Sequence, residues 1–180
     1  MIYDLPIAIT VDGVDYPIRN KGDYRVILDV IECLNDNTLS ESERAEIALT
    51  IFFEGEIKDN NFCGELPDNI QEAITQMLIF INCGEPIEDE EQNEPPFMDW
   101  TGDLWLIAPE VNQILGYETR ERGKYTHWWS YKGAFMNIKD GMFCTYVGIR
   151  KKLYKGQKLD DYEKEIYSKN YKKIDMTGKW

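Results

Sequence analysis

Alternating apolar and polar positions open the chain. Ile7, Ile9 and Val11 alternate with smaller or polar residues, and the alternation resumes from Val14 to Ile18 after Asp12-Gly13. Asp-Gly accommodates the positive φ angles that a two-residue type I′ turn requires. The pattern therefore predicts a short β-hairpin. Because two isolated strands are marginal in water, the hairpin must pack against the helices that follow it.

Three stretches with helical periodicity come next. The first begins at Asp23, a good N-cap, and the second follows the capping-box pattern Ser40-x-x-Glu43. The third is predicted to open at Pro67-Asp68 and to stop at Gly84. Residues 55–65, between the second and third helices, lack periodicity and are predicted to be a loop.

An acidic segment, residues 85–97, interrupts the helical pattern. It contains three prolines and few apolar side chains, so it cannot bury enough surface to offset the cost of ordering it. We interpret it as a mobile linker. A recognition peptide of the same composition is the alternative.

Helical patterns resume after the linker. Residues 99–115 predict one kinked helix or two short ones, interrupted by Pro109, and residues 117–125 predict an extended stretch. Thr126 is a candidate cap for a helix that reaches Ile138, and a further helix covers residues 143–153. The last helix begins at a second capping box, Asp160-x-x-Glu163.

The predicted fold is mainly α. A short N-terminal β-hairpin precedes two small helical lobes joined by the acidic linker. The expected boundaries are residues 1–84 for the hairpin with three helices, 85–97 for the linker and 98–180 for the C-terminal helical lobe. A chain of 180 residues can bury a core of this size.

Charge divides the chain unevenly. The net charge of −13 is the sum of −18 over residues 1–100 and +5 over residues 101–180. The two halves could attract each other within the fold or in a neighbouring copy. No apolar run approaches the roughly 18 residues that a membrane span needs, and the N-terminus does not resemble a signal peptide. We therefore expect a cytoplasmic protein without membrane contact.

The candidate chemistry is sparse. Cys33, Cys63, Cys83 and Cys144 lie 20 residues or more apart, which matches neither a zinc knuckle nor a redox pair, so we expect four reduced and mostly buried thiols. His127 is the one histidine of the sequence and is expected to be structural, at a helix start. We predict no enzyme activity, no metal and no cofactor.

Two features of the C-terminal half are candidate binding surfaces, one basic and one aromatic. A basic stretch, residues 150–155, and the later Lys169, Lys172 and Lys173 are interleaved with tyrosines, which suits single-stranded nucleic acid. A solvated helix whose lysines face the acidic half is the favoured interpretation. Trp128 and Trp129 are adjacent, and adjacent helical residues point about 100° apart. One tryptophan is therefore expected in the core and the other partly exposed.

Several blocks of the sequence resemble a known phage family. They begin with Met1-Ile-Tyr-Asp-Leu-Pro, Gly13-x-x-Tyr16-Pro-Ile-Arg19 and Asp23-Tyr24-Arg25-x-Ile27-Leu28, continue with Met98-Asp99-Trp100 and Ile107-Ala108-Pro109, and end with His127-Trp128-Trp129-x-Tyr131-x-Gly133-Ala134 and Val147-Gly148-Ile149-Arg150-Lys151-Lys152. In this order they resemble the gene-product-fifteen family of tailed phages and prophages of Gram-positive bacteria. The resemblance extends over nearly the whole chain.

The resemblance implies a role without catalysis. Family members look like tail assembly chaperones, encoded between the major tail protein and the tape measure protein. The implied partner is the tape measure protein, with the major tail protein as a candidate second partner. The implied place is the host cytoplasm, and the protein is expected to be absent from the finished virion. No catalytic residue and no cofactor is implied.

The two most family-like blocks supply the predicted partner-binding residues. They are one of Trp128 and Trp129, together with the basic run Arg150, Lys151 and Lys152; Trp105 and Trp180 are further candidate anchors. In the competing interpretation both adjacent tryptophans belong to the core. Two other functions stay open: a structural component of the neck or tail, and a nucleic-acid-binding phage protein using residues 150–173.

Overall fold

The computed structural model describes residues 4–58, 61–86 and 94–176. It confirms a mainly helical protein with an N-terminal two-stranded antiparallel hairpin. The described elements, in chain order, are β1 Ala8–Val11, β2 Val14–Pro17, α1 Tyr24–Leu34, α2 Glu41–Phe52, β3 Gly55–Lys58, β4 Asn61–Gly64, α3 Ile70–Ile81, α4 Leu104–Leu115, α5 Trp128–Met136, α6 Met142–Tyr154 and α7 Asp161–Ile174.

The N-terminal hairpin forms as its sequence predicts. Val11 pairs with Val14 across the turn, and Asp12 and Gly13 have φ angles of 49° and 81°. Both angles are positive, as a type I′ turn requires. The hairpin leads through a single 3₁₀ turn, Arg19–Lys21, to the first long helix.

Local capping signals locate three helix starts correctly. The Asp23 carboxylate accepts the Arg25 N–H at the start of α1. Reciprocal capping boxes stand before α2, between Ser40 and Glu43, and before α7, between Asp160 and Glu163. Each cap satisfies N–H groups that the helix itself leaves without a partner.

Three expectations for the rest of the backbone need correction. Within the predicted loop, residues 55–58 and 61–64 form strands β3 and β4, a second antiparallel pair whose strands of four residues are too short to show periodicity. The third helix begins at Ile70 with Asn69 as its cap, not at Pro67-Asp68. Residues 117–125 form turns and bends instead of an extended stretch. Pro109, in contrast, lies inside one continuous helix, α4.

The residues group into two compact units. One comprises Met1–Asp89 with Glu121–Gly133, and the other comprises Glu90–Arg120 with Ala134–Trp180. The sequence-based boundaries place residues 121–133 in the second lobe. In the structure this segment belongs to the first unit, where the Tyr24 N–H donates to the Thr126 carbonyl and the Trp128 N–H donates to the Gly22 carbonyl. Such pairing over a hundred residues leaves no periodic trace in the sequence.

Each unit has its own apolar core. In the first unit Phe52 packs edge-on against Phe80, and Tyr24 stacks on Tyr131 with ring centroids 4.1 Å apart. In the second unit the core side chains come from α4 to α7 and from the segment after α7, and the buried ones are Leu106, Ile107, Ala108, Val111, Ala134, Phe143, Tyr146, Ile149, Ile166, Ile174 and Met176.

Candidate partner-binding surfaces

Trp128 and Trp129 hold the C-terminal end of α3. The Trp128 indole Nε1–H donates to the Ile81 carbonyl at 2.8 Å, and the Trp129 Nε1–H donates to the Phe80 carbonyl at 2.9 Å. Lys132 Nζ also donates to the Ile81 carbonyl, at 3.0 Å. The last carbonyls of a helix have no partner within it. These three side chains, here called the α3 clasp, bond two of these carbonyls, of which that of Phe80 also accepts the Cys83 N–H at 3.0 Å.

The burial of the two tryptophans differs. Trp128 is 1% exposed, whereas Trp129 is half-buried and packs on Phe80 with ring centroids 5.9 Å apart. The expected division into one core and one partly exposed tryptophan is confirmed. Trp128 therefore has no face to offer a partner, and Trp129 offers only part of its ring.

His127 caps the helix that carries both tryptophans. Its Nδ1 accepts the Trp129 N–H at 3.1 Å, so Nε2 carries the proton and donates to the Pro6 carbonyl at 2.9 Å. Burial lowers the pKa of His127, although the Pro6 hydrogen bond and the charge of Asp23 act in the opposite direction. The expected position of His127, as a hydrogen-bonded imidazole at a helix start, is confirmed. The cap is His127 and not Thr126, whose N–H donates to Asp23 instead.

Arg150 is buried in the second unit, not exposed in a basic run. Its Nη1 and Nη2 donate to the two carboxylate oxygens of Asp103 at 2.6 and 2.9 Å, and both side chains are 2–3% exposed. The other hydrogen bonds of its guanidinium go to the carbonyls of Phe97, Lys173 and Ile174. The guanidinium thus ties α6 to the start of α4, to the segment before α4 and to the end of α7.

The neighbouring lysines are paired at the surface. Lys152 donates to the Glu163 carboxylate at 2.5 and 2.6 Å. Lys151, in the last turn of α6, and Lys155, which caps that helix, both lie near the Glu94 carboxylate, at 3.7 and 2.6 Å. Residues 151–155 are here called the basic turn. Of the predicted run, Lys151 is the most exposed side chain at 52%. Each of these ion pairs reduces the positive potential that residues 150–155 present to an anionic partner.

An apolar groove lies beside this basic turn. It has a volume of about 290 Å³ and lies between the end of α6 and the end of α7. Leu153 and Tyr154 are exposed at its mouth. The residues that line it are Arg150, Leu153, Tyr154, Tyr167, Ile174, Asp175 and Met176. A groove of this kind suits apolar side chains of a peptide segment.

The remaining candidate residues are two tryptophans, the four cysteines and any cluster of metal-binding side chains. Trp105 is 43% exposed, and Lys173 Nζ lies 4.0 Å from the centre of its ring, while Trp180 lies outside the described residues. No disulfide joins the four cysteines, all of which are described, and Cys63 is exposed instead of buried. Across residues 4–58, 61–86 and 94–176, no group of three His, Cys, Asp or Glu side chains could hold a metal ion.

A comparison with family models identifies the chain. The model of the Bacteriophage Gp15 protein family matches residues 1–104, more than half of the sequence. The chain belongs to this phage family. The match contains the hairpin and α1 to α3, whereas the His-Trp-Trp block and the Ile-Arg block lie beyond its end. For those blocks the family resemblance stays a prediction.

Two further comparisons add no relative. No curated protein and no solved structure matches the chain. Within the described residues, no helix is long and apolar enough to cross a membrane.

The structure also contains site residues that the sequence patterns did not indicate. Glu94 pairs with Lys151 and Lys155, and Lys132 completes the α3 clasp. Arg150 could have been suspected of burial, because it lies four residues after Tyr146 on the apolar face of α6. Its partner Asp103 is 47 residues away and could not have been inferred.

Proposed function

We propose that this Gp15-family protein is a phage tail assembly chaperone. It binds the tape measure protein in the host cytoplasm while tail tube subunits assemble, with the major tail protein as a second partner, and it carries out no reaction. Family membership over residues 1–104 is the observation that supports this proposal, because the resemblance implies the role.

The surface of the second unit suits a helical, partly apolar client. The groove accepts apolar side chains, and Leu153 and Tyr154 add exposed apolar area at its edge. A chaperone must expose such area without aggregating itself, and a net charge of −13 opposes self-association. The groove and the charge together meet both requirements.

The predicted partner-binding residues divide by accessibility. We propose that Lys151 and Lys152, which lie along α6 between the groove-lining Arg150 and Leu153, contact the client, and that Trp129 contributes its exposed edge in the first unit. Trp128 and Arg150 contribute indirectly, because both are buried and hold the backbone of their own units. The binding energy of an interface is usually concentrated in a few aromatic or arginine side chains. The aromatic residues that line the groove are therefore the first to test.

A nucleic-acid role is less well supported. Single-strand binding needs a cationic groove with aromatic platforms, and the lysines of α6 are paired with carboxylates instead. Neutralised lysines release few counterions on binding, which weakens the affinity for phosphate chains.

Mass spectrometry of purified virions tests the chaperone proposal against a structural role. The phage that encodes this chain is grown, and its particles and the infected-cell lysate are compared. A chaperone gives peptides from this chain in the lysate and none in particles that yield abundant major tail protein. Stoichiometric recovery from the particles would contradict the proposal and favour a structural neck or tail component.

A further inference from the structure

The end of the acidic linker contacts the basic turn of α6. The Glu94 carboxylate lies 2.6 Å from Lys155 Nζ and 3.7 Å from Lys151 Nζ. The hydrogen bond from Lys155 lowers the pKa of Glu94, and a glutamate is ionised at neutral pH even without such a shift. The charge pairing is therefore present under physiological conditions.

Three residues further on, an aromatic side chain completes the contact. The Phe97 ring packs edge-on against Tyr154 with centroids 5.5 Å apart, and Lys151 Nζ lies 5.9 Å from the centre of the Phe97 ring. Between Glu94 and Phe97 stand two prolines, whose fixed φ angles favour an extended backbone. The segment thus presents a carboxylate and an aromatic ring at a nearly fixed separation.

The ion pairs of this contact are weak because their side chains are exposed to solvent. Glu94, Lys151 and Lys155 are 41%, 52% and 36% exposed, and ion pairs at such sites contribute little to stability. The backbone at Phe97 is anchored separately, by the Arg150 hydrogen bond to its carbonyl. The side chains of Glu94 and Phe97 can therefore leave α6 without loss of the Arg150–Asp103 pair.

We propose that Lys151, Tyr154 and Lys155 form a recognition site for a protein segment in which an acidic residue precedes an aromatic residue by three positions, and that Glu94–Phe97 is its resident, displaceable occupant. The assignment of the incoming segment to a client protein rests on the proposed chaperone function. An incoming segment gains the groove beside Tyr154 in addition to the contacts that it replaces, which gives it the advantage over the resident one.

Peptide binding to the full-length protein tests the site. The probe is a fluorescein-labelled peptide copying residues 94–101, Glu-Pro-Pro-Phe-Met-Asp-Trp-Thr, and the readout is fluorescence anisotropy. Charge reversal in Lys151→Glu/Lys155→Glu should weaken binding at least tenfold without a change in melting temperature. Lys158→Glu, which reverses an exposed lysine outside the site, is the matched control and should bind within twofold of wild type.

The role of the resident segment as a competitor is tested by a variant that weakens its contact with α6. Glu94→Gln removes the charge of the intramolecular competitor, and the weaker competition should strengthen peptide binding at least threefold. Probe peptides with Gln in place of the acid, or Ala in place of the aromatic residue, should bind at least fivefold more weakly than the parent. Equal binding by wild type and the charge-reversed protein would overturn the proposal, and so would an unchanged affinity of Glu94→Gln.

Two further arms separate this inference from its alternatives. An oligothymidine of 20 nucleotides that binds more tightly than the peptide, and loses binding in the charge-reversed protein, would overturn the peptide site in favour of a nucleic-acid site. Tape measure protein retained equally by wild type and Lys151→Glu/Lys155→Glu would refute this inference while leaving the chaperone function intact. Peptide binding as predicted, with no retention of tape measure protein, would refute the chaperone function alone.

Discussion

Replacing Arg150 with methionine removes a buried guanidinium whose hydrogen bonds reach one carboxylate and three carbonyls. Methionine fills a similar volume but leaves the Asp103 carboxylate, 3% exposed, without its counter-charge. Breaking a buried ion pair from one side typically costs about 3–5 kcal/mol. We therefore expect Arg150→Met to lose about 3–5 kcal/mol of unfolding free energy, which corresponds to a fall in melting temperature of roughly 10 °C for a chain of this size.

Two matched variants show whether the buried pair is the cause. Lys151→Met changes the adjacent, exposed residue and should cost no more than about 0.5 kcal/mol. Asp103→Asn in the Arg150→Met background removes the uncompensated charge and should recover about 1–2 kcal/mol, because the cost lies in the isolated carboxylate. The double-mutant cycle gives the coupling between the two side chains.

Urea unfolding followed by both tryptophan fluorescence and far-UV circular dichroism measures these differences. Coincident transitions are needed before a two-state free energy is fitted, since the chain has two compact units. A loss below about 1 kcal/mol in Arg150→Met, or a loss equal to that of Lys151→Met, would refute the role assigned to Arg150.

Three further variants test the clasp, the histidine and a cap. Trp129→Phe keeps a ring against Phe80 but loses the indole hydrogen bond, so urea unfolding should show a loss of about 1 kcal/mol; no loss would contradict the clasp. Burial lowers the pKa of His127 from 6.5, so the stability of the folded protein should fall as the pH drops below that value. The melting temperature should therefore decrease between pH 7.5 and 5.5, and it should decrease less in His127→Asn than in wild type. Equal slopes would contradict this expectation. Asp160→Ala should cost about 1 kcal/mol in thermal unfolding through the lost cap of α7, and Asp161→Ala less than half of that.

Local signals in the sequence predicted a large part of the fold. The capping boxes at Ser40 and Asp160 and the Asp12-Gly13 turn act through residues at most three positions apart, so their geometry is determined by neighbours in the chain. The β3–β4 hairpin was missed because its strands of four residues are too short for alternation to stand out. Short strands of this kind are fixed by pairing and not by composition.

The candidate site depended on longer-range contacts. Arg150 stands in a basic run that is typical of a solvated face, and its burial follows from a carboxylate 47 residues earlier. Trp128 and Trp129 suggested an exposed anchor, yet both indoles bond to carbonyls of α3, nearly 50 residues before them. No periodicity within one helix could have revealed either contact. The division of the tryptophan pair into one buried and one partly exposed side chain, in contrast, followed from helical geometry alone.

Co-expression with the tape measure protein of the same phage tests the central claim most directly. The tape measure protein is produced alone, with this chain, and with Leu153→Asp/Tyr154→Asp, which places charge at the mouth of the groove. The account predicts that the wild-type chain keeps the tape measure protein soluble and co-elutes with it, and that the groove variant, folded by circular dichroism, does so far less. Insoluble tape measure protein in the presence of the folded wild-type chain, with no co-elution, would contradict the account.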